Sequence, residues 1–309
     1  MVEVLKTALG PLGLGHPVIN ASGTFDLLEA DEVLRADLMA EFPFAAYVPK
    51  TVTMEPRAGN DPPRLFETAA GLLNSIGLAN RGIEAFIDED LPRLAALPVP
   101  LIASIAGERT DDYGRCALLL DECDRVDAVE LNISCPNVEL GGMALGCDPY
   151  KTRQATEYAR ESTSRFLIVK LTPNVTDITS LARAAVEGGA DCISVINTVH
   201  GMALDPLRLK PALGHVTGGL SGPAIKPVAL RAIYMISREV DVPVIGMGGA
   251  TTAQDVLEFL AAGASVVAIG TASFRDPLLA ARLAGELRVL MEQRGFGSVR
   301  ELIGHAHKE

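Results

Sequence analysis

Along the 309-residue chain, short apolar runs alternate with segments of helical length and helical periodicity. Eight such runs stand out, at residues 17–21, 45–50, 101–105, 128–133, 166–171, 192–197, 243–247 and 266–270. They are continuous in apolar character, without strict apolar-polar alternation, which is the pattern of parallel strands buried on both faces and joined by crossover helices. Eight strand-helix units without a linker-like break specify a (β/α)8 TIM barrel more economically than a doubly wound sheet. A single α/β domain over residues 1–309 is therefore predicted.

Barrel enzymes carry their working groups at the carboxyl ends of the strands. Here those ends are polar: Ser22, Lys50 with Thr51, Ser104, Asn132, Lys170, Asn197 with Thr198, Gly248 with Gly249, and Gly270 with Thr271. A lysine or amide at the edge of a buried strand costs several kcal/mol unless it is paired, so these groups are expected to converge on one ligand. Two long interruptions, at about 51–80 and 199–222, exceed the usual loop of about 4–6 residues and predict excursions over the active face. A third, at 136–148, holds Gly141, Gly142 and Gly146, a composition suited to a segment that opens and closes over a substrate.

The 48% apolar content is enough for a large core. A net charge of -12, with acidic residues scattered along the chain, argues against nucleic acid or an anionic membrane as partner. No apolar stretch approaches the roughly 20 residues of a membrane span, and the opening residues lack the charged-then-apolar order of a signal peptide. A soluble, cytoplasmic protein acting on small molecules is expected. The cysteines at 116, 123, 135, 147 and 192 are odd in number and form no Cys-x-x-Cys pair, so no disulfide framework and no metal site is indicated. Cys116 and Cys123 fit the core face of a helix, and Cys192 opens an apolar strand. The histidines at 16, 200, 215, 305 and 307 show no ligand spacing and are expected on the surface or in loops.

Cys135 differs from the other thiols. It follows the run that stops at Asn132 and sits on a proline-stiffened turn ahead of the glycine-bearing loop, the position of a reactive base under a lid, although an isolated cysteine is more often a small buried hydrophobe. The last third of the chain offers a phosphate cradle in three pieces: Gly218 to Pro223, Gly246 to Ala250, and Gly270-Thr271. In barrels the loops after the last two strands often hold a phosphate on backbone N–H groups and a helix N-terminus, and Thr251 to Asp255 reads as the cap of that helix. The third glycine and the acidic strand end of a dinucleotide fingerprint are missing, which favours a mononucleotide or a phosphorylated substrate. Lys50 and Lys170 are placed to neutralise a charged ring.

Several segments together resemble class 1 dihydroorotate dehydrogenases over essentially the whole length. They are Asn20-Ala21-Ser22-Gly23-Thr24, Glu55-Pro56-Arg57-x-Gly59-Asn60, Leu73-Asn74-Ser75-Ile76-Gly77-Leu78, and Asn132-Ile133-Ser134-Cys135-Pro136-Asn137. Further on come Val169 to Asn174, Ile196-Asn197-Thr198, Gly218 to Gly222 and Gly246 to Gly249. The Gly141-Gly142 loop is more similar to the class 1B catalytic subunit than to class 1A, and cysteine in place of serine at 135 argues against the membrane-bound class 2.

The resemblance implies one FMN per chain and oxidation of dihydroorotate to orotate in pyrimidine (UMP) biosynthesis. By it, Cys135 is the base. Lys50, Asn74, Ser75, Ile76, Gly77, Leu78, Asn132, Asn197 and Thr198 bind the substrate. Ser22, Lys50, Thr51, Ser104, Asn132, Lys170, Ile196, Gly222, Gly248, Gly249, Gly270 and Thr271 hold the flavin. Ser104 departs from the asparagine usual in the family. Electrons would pass to NAD through a partner subunit carrying FAD and an iron-sulfur cluster, with this chain forming a homodimer inside a heterotetramer. The alternatives are a related FMN barrel acting on another dihydropyrimidine, or a class 1A-like enzyme using fumarate.

Overall fold

The computed structural model describes residues 3–34, 38–134 and 145–308. In chain order, a hairpin of β1 (Thr7–Leu9) and β2 (Leu12–Leu14) precedes β3 (Val18–Asn20), and a second hairpin, β4 (Leu65–Thr68) and β5 (Gly71–Asn74), lies within the first excursion. Then follow β6 (Ile102–Ile105), β7 (Ala128–Asn132), β8 (Phe166–Lys170) and β9 (Cys192–Val195). The second excursion is bounded by β10 (Val199–Met202) and β11 (Thr217–Ser221), and β12 (Val244–Met247) and β13 (Val266–Ile269) complete the set.

Seven of the apolar runs form one parallel sheet in the order β3-β13-β12-β9-β8-β7-β6, with helices in the connections. The run at 45–50 differs from expectation, because it forms no regular strand. It nevertheless closes the barrel between the two sheet edges. On one side Tyr47 N donates to Pro100 O (2.8 Å), Ile102 N to Tyr47 O (2.9 Å) and Val52 N to Ser104 O (2.9 Å). On the other, Ala45 N reaches Val18 O (2.9 Å), after which a side chain replaces the ladder: Asn20 Nδ2 donates to Val48 O (2.7 Å) and Val48 N to Asn20 Oδ1 (2.9 Å). Pro49 has no N–H to continue the ladder, which accounts for the irregular strand.

The continuous apolar runs arise because both faces of each strand are covered. Ile19, Val48, Ile102, Ala128, Ile168, Cys192, Ile245 and Val266 fill the barrel interior, together with Leu9, Leu12 and Leu14 of the first hairpin. Gly10 of that hairpin lies against the Phe166 ring at the start of β8, so the hairpin stops the amino-terminal mouth. The outward residues, among them Val18, Ala103, Val129, Val169, Ile193 and Val267, pack on helix residues such as Cys116, Ala155, Ile233 and Phe259. The excursions pair with each other in a four-stranded antiparallel sheet, β10-β11-β5-β4.

Two helices that begin at the carboxyl face are tied together at their starts. Thr252 caps Ala253–Ala261 by accepting from Asp255 N (3.2 Å), while the Asp255 carboxylate accepts from the N–H groups of Thr251 and Thr252 (both 2.9 Å). Lys226, the first residue of Lys226–Ile236, bonds Asp255 and lies 2.7 Å from Glu258. Among the thiols, Cys116 and Cys192 are buried, and burial pushes the first up to about 12 and the second well above its ordinary value. His16, expected on the surface or in a loop, lies in the loop ahead of β3, where burial lowers its pKa to about 4 and its Nδ1 accepts from Val18 N (3.2 Å). Among the described residues no helix is long and apolar enough to cross a membrane.

Asn20→Ala leaves the buried Val48 N–H and C=O without partners, and we expect it to cost about 3 kcal/mol of unfolding free energy; an unchanged urea midpoint would show that closure does not depend on the amide. Burial alone would raise the Asp255 pKa, but Lys226 and the Thr251 and Thr252 hydrogen bonds bring it down to about 2 from 3.8. A depressed folded-state pKa gives stability that is present above about pH 4 and lost as the pH falls toward 2. Asp255→Asn should therefore be less stable than the parent at neutral pH, with a gap that narrows below about pH 4; a gap independent of pH would contradict the assignment.

Candidate active site

A cavity of about 830 Å³ opens at the carboxyl ends of the barrel strands, within the range of about 300–1,000 Å³ usual for small-molecule sites. Ser22 reaches it from the end of β3, Lys50 and Thr51 from the closing segment, Asn132 from β7, Lys170 from β8, and Ile196, Asn197 and Thr198 from the turn after β9. Gly248 and Gly249 follow β12, and Gly270 and Thr271 follow β13. The excursions supply the outer wall, with Asn74, Ile76, Gly77 and Leu78 from the first and Gly222 from the second.

Two predicted residues do not line the cavity. Ser75 is buried and its hydroxyl accepts from Asn60 Nδ2 (2.7 Å), which anchors the turn carrying Ile76 to Leu78 from behind. Ser104 lies beneath the floor, sharing its hydroxyl with Thr51 Oγ1 (3.0 Å) and Glu130 Oε1 (3.1 Å). Cys135 and the following loop through residue 144 lie outside the described residues. Cys147, beyond that loop, has its thiol pKa raised by burial.

The approach to Cys135 is described as far as Ser134. Asn132, Ser134 and Asn197 form a compact amide-hydroxyl cluster, in which Ser134 Oγ donates to Asn132 Oδ1 (2.9 Å) and Asn197 Nδ2 to Ser134 Oγ (2.6 Å). Asn197 Oδ1 accepts from Thr198 N (2.8 Å). Asn74 Nδ2 donates to Gly219 O (3.2 Å), leaving its carbonyl oxygen unengaged by that bond. Planar groups with both a donor and an acceptor at fixed positions suit a ring bearing amide functions.

Lys170 is the most informative side chain in the floor. It is 5% exposed and pairs in register with Asn132, and its ammonium makes no hydrogen bond or ion pair among the described residues. A buried ammonium without a counter-charge costs several kcal/mol, so Lys170 is held for an electron-rich partner in the cavity. Lys50 reaches the same space past Gly23, where a Cβ would stand 2.9 Å from the lysine Cδ.

At the far side, Gly248 (φ 122°) and Gly249 (φ 84°) turn the backbone into the cavity in conformations that L side chains rarely adopt. A Cβ at Gly249 would stand 2.8 Å from Gly222 O and 2.9 Å from Lys226 N, so the two loops touch. Both lead into helix N-termini, and Thr271 Oγ1 donates to Ser221 Oγ (2.7 Å) beside them. Backbone N–H groups and hydroxyls gathered in this way form an anion cradle.

Sequence reasoning named neither Ser221 nor Arg275 as a site residue. Ser221 lies within the Gly218 to Pro223 segment, so its signal was present; Arg275 lies just beyond Gly270-Thr271 and lines the cavity, but a lone exposed arginine carries little signal. Asn174, also within a quoted motif, supports the site indirectly, its Nδ2 donating to Thr198 O (3.0 Å).

Comparison with known proteins agrees with this geometry. A family profile described as dihydroorotate dehydrogenase matches residues 4–291. The protein named dihydroorotate dehydrogenase B (NAD(+)), catalytic subunit, from Desulforudis audaxviator is 48% identical over 306 residues, covering 98% of each chain. Identically named proteins from Geotalea uraniireducens and Trichlorobacter lovleyi are 45% identical over 300 residues, covering 97% of each chain, and 46% identical over 304 residues, covering 98% and 99%. With the family profile matched over residues 4–291 and relatives up to 48% identical over nearly the whole length, the chain belongs to the dihydroorotate dehydrogenase family.

Proposed function

We propose that this chain is the FMN-binding catalytic subunit of an NAD-linked dihydroorotate dehydrogenase, oxidising dihydroorotate to orotate in pyrimidine biosynthesis. The observation that carries the reading is Lys170, buried at the cavity floor beside the Asn132-Ser134-Asn197 cluster and without a side-chain partner among the described residues. The residues fit FMN. Gly222, Gly248, Gly249 and Gly270, with Thr271, offer a phosphate cradle that a Cβ would fill at Gly249, and Ser22, Thr51, Asn132, Lys170 and Ile196 offer polar and apolar contacts for the ring. Ser104 supports this set from below.

Bound FMN supplies the two-electron acceptor. The chain's own residues bind, orient and deprotonate. Asn74, Asn132 and Asn197 hold the pyrimidine amides in one orientation, with the Ile76 to Leu78 turn and Thr198 closing the pocket and Lys50 facing the carboxylate. Cys135, immediately beyond the Ser134 hydrogen bonds, takes the proton from the substrate carbon; as a thiolate it needs a pKa near or below the working pH. Lys170 stabilises negative charge that builds in the cavity during oxidation.

The further composition belongs to the same proposal. The relatives' name, catalytic subunit, supports a separate electron-transfer partner, which we take to carry FAD and an iron-sulfur cluster, since no Cys-x-x-Cys pair is present in this chain. A homodimer of this chain within a cytoplasmic heterotetramer completes it.

Anaerobic mixing of the FMN-loaded chain with dihydroorotate should bleach the flavin, with Cys135→Ala slower by about 10²–10⁴-fold. NAD+ added to the reduced chain should give NADH only after the partner subunit is supplied. Equal bleaching by both proteins would remove Cys135 from the reaction; bleaching by dihydrouracil alone would favour another dihydropyrimidine, and rapid reoxidation by fumarate a class 1A-like acceptor. Lys170→Met should slow bleaching by about 10²-fold and lower the flavin midpoint potential, whereas an unchanged potential would show that Lys170 does not face the ring.

A further inference from the structure

A line of hydroxyls runs from the cavity floor into the barrel interior and ends on a carboxyl group that the proposed reaction does not use. Ser22 Oγ donates to Pro49 O (2.9 Å) and lies 2.9 Å from Thr51 Oγ1. Thr51 Oγ1 is 3.0 Å from Ser104 Oγ, which is 3.1 Å from Glu130 Oε1. Asn132 Nδ2 also donates to Thr51 Oγ1 (3.3 Å). Glu130 is 2% exposed on the inward face of β7.

Counting hydrogens along this line decides its direction. Each hydroxyl has one hydrogen to give. A proline carbonyl only accepts, so Ser22 gives its hydrogen to Pro49. Thr51 must then donate to Ser22, and Ser104 must donate to Thr51. Ser104 has no hydrogen left for Glu130, so the remaining contact is filled only by a hydrogen on the carboxyl group itself.

We propose that Glu130 stands as a neutral carboxylic acid that donates to Ser104 and orients the Ser104-Thr51-Ser22 line. An ionised Glu130 would force one link to place two lone pairs face to face, or leave the Pro49 carbonyl without its donor. It would also be a buried carboxylate with four acceptor positions and a single hydrogen bond among the described residues, an unfavourable arrangement for a charge. The neighbouring groups agree. Lys170, on the next strand and one inward position nearer the cavity, makes no ion pair with it, and Ile168 and Cys192 lie level with it on the inner face.

Glu130 is thus a positioning residue. It acts through Ser104 on Thr51, whose oxygen is filled by donors from Ser104 and Asn132 and whose hydrogen goes to Ser22. Two cavity-lining hydroxyls are held in one orientation, and the charge of Lys170 is not cancelled from below.

The test separates charge from hydrogen bonding. Infrared difference spectra of flavin-free protein, wild type against Glu130→Gln, should contain the carbonyl stretch of a protonated carboxylic acid, shifting in heavy water and lost in the variant. Glutamine keeps a donor for Ser104, so FMN should bind Glu130→Gln with a dissociation constant within about threefold of wild type, whereas Glu130→Leu, which has no donor, should weaken it about tenfold or more. Absence of the acid band, or a glutamine variant as impaired as the leucine one, would overturn the proposal. The infrared measurement involves neither flavin nor dihydroorotate, so its outcome is independent of the proposed reaction.

Discussion

The closure of the barrel by an irregular segment is the constraint on which the rest of the structure depends. Seven strands make an open curled sheet, and the gap between β3 and β6 is filled by residues 45–52 without a regular ladder. One amide, Asn20, supplies both a donor and an acceptor to Val48 at the point where the approaching proline ends backbone pairing. Lys50 and Thr51 follow directly, so their reach into the cavity rests on that amide. The Pro49 carbonyl, freed from any sheet role, becomes the terminal acceptor for Ser22.

Function is arranged against stability in the upper half of the barrel. The lower interior is apolar and stoppered by the β1-β2 hairpin, while the upper interior carries Ser104, Glu130, Asn132 and Lys170, all buried. Such groups are tolerated where their hydrogen bonds are complete or a ligand completes them. Asn132 and Ser104 are satisfied within the protein, whereas Lys170 is left facing the cavity. The Lys226-Asp255 bond works outside the barrel in the same sense, holding the starts of two helices side by side at the edge of the cradle.

Much of this was legible in the chain. The seven regular strands were readable because burial on both faces leaves continuous apolar runs, and the cap at Thr252 because its partner Asp255 stands at capping-box spacing. Most strand-end residues were readable because a barrel delivers them to one face. Ser104 shows the limit: its parity with Ile102 marks it as inward-facing, but the depth of a side chain follows from strand stagger around the barrel, which a single strand does not reveal. Ser75 shows another, since the turn from Asn74 to Leu78 reads as one continuous motif while the backbone aims its members to opposite sides.

What the sequence by itself determined is the order of strands and helices, the position of polar groups at the strand ends, and the motifs of the dihydroorotate dehydrogenase family, all of which are local patterns. The tertiary structure alone decided that Asn20 substitutes for a missing ladder, that Lys226 meets Asp255, that Lys170 has no side-chain partner among the described residues, and that a hydroxyl line joins the Pro49 carbonyl to Glu130. These depend on atoms tens of residues apart being brought within 3 Å or so, and hydrogen-bond direction follows from the complete chain of partners, which no local pattern contains.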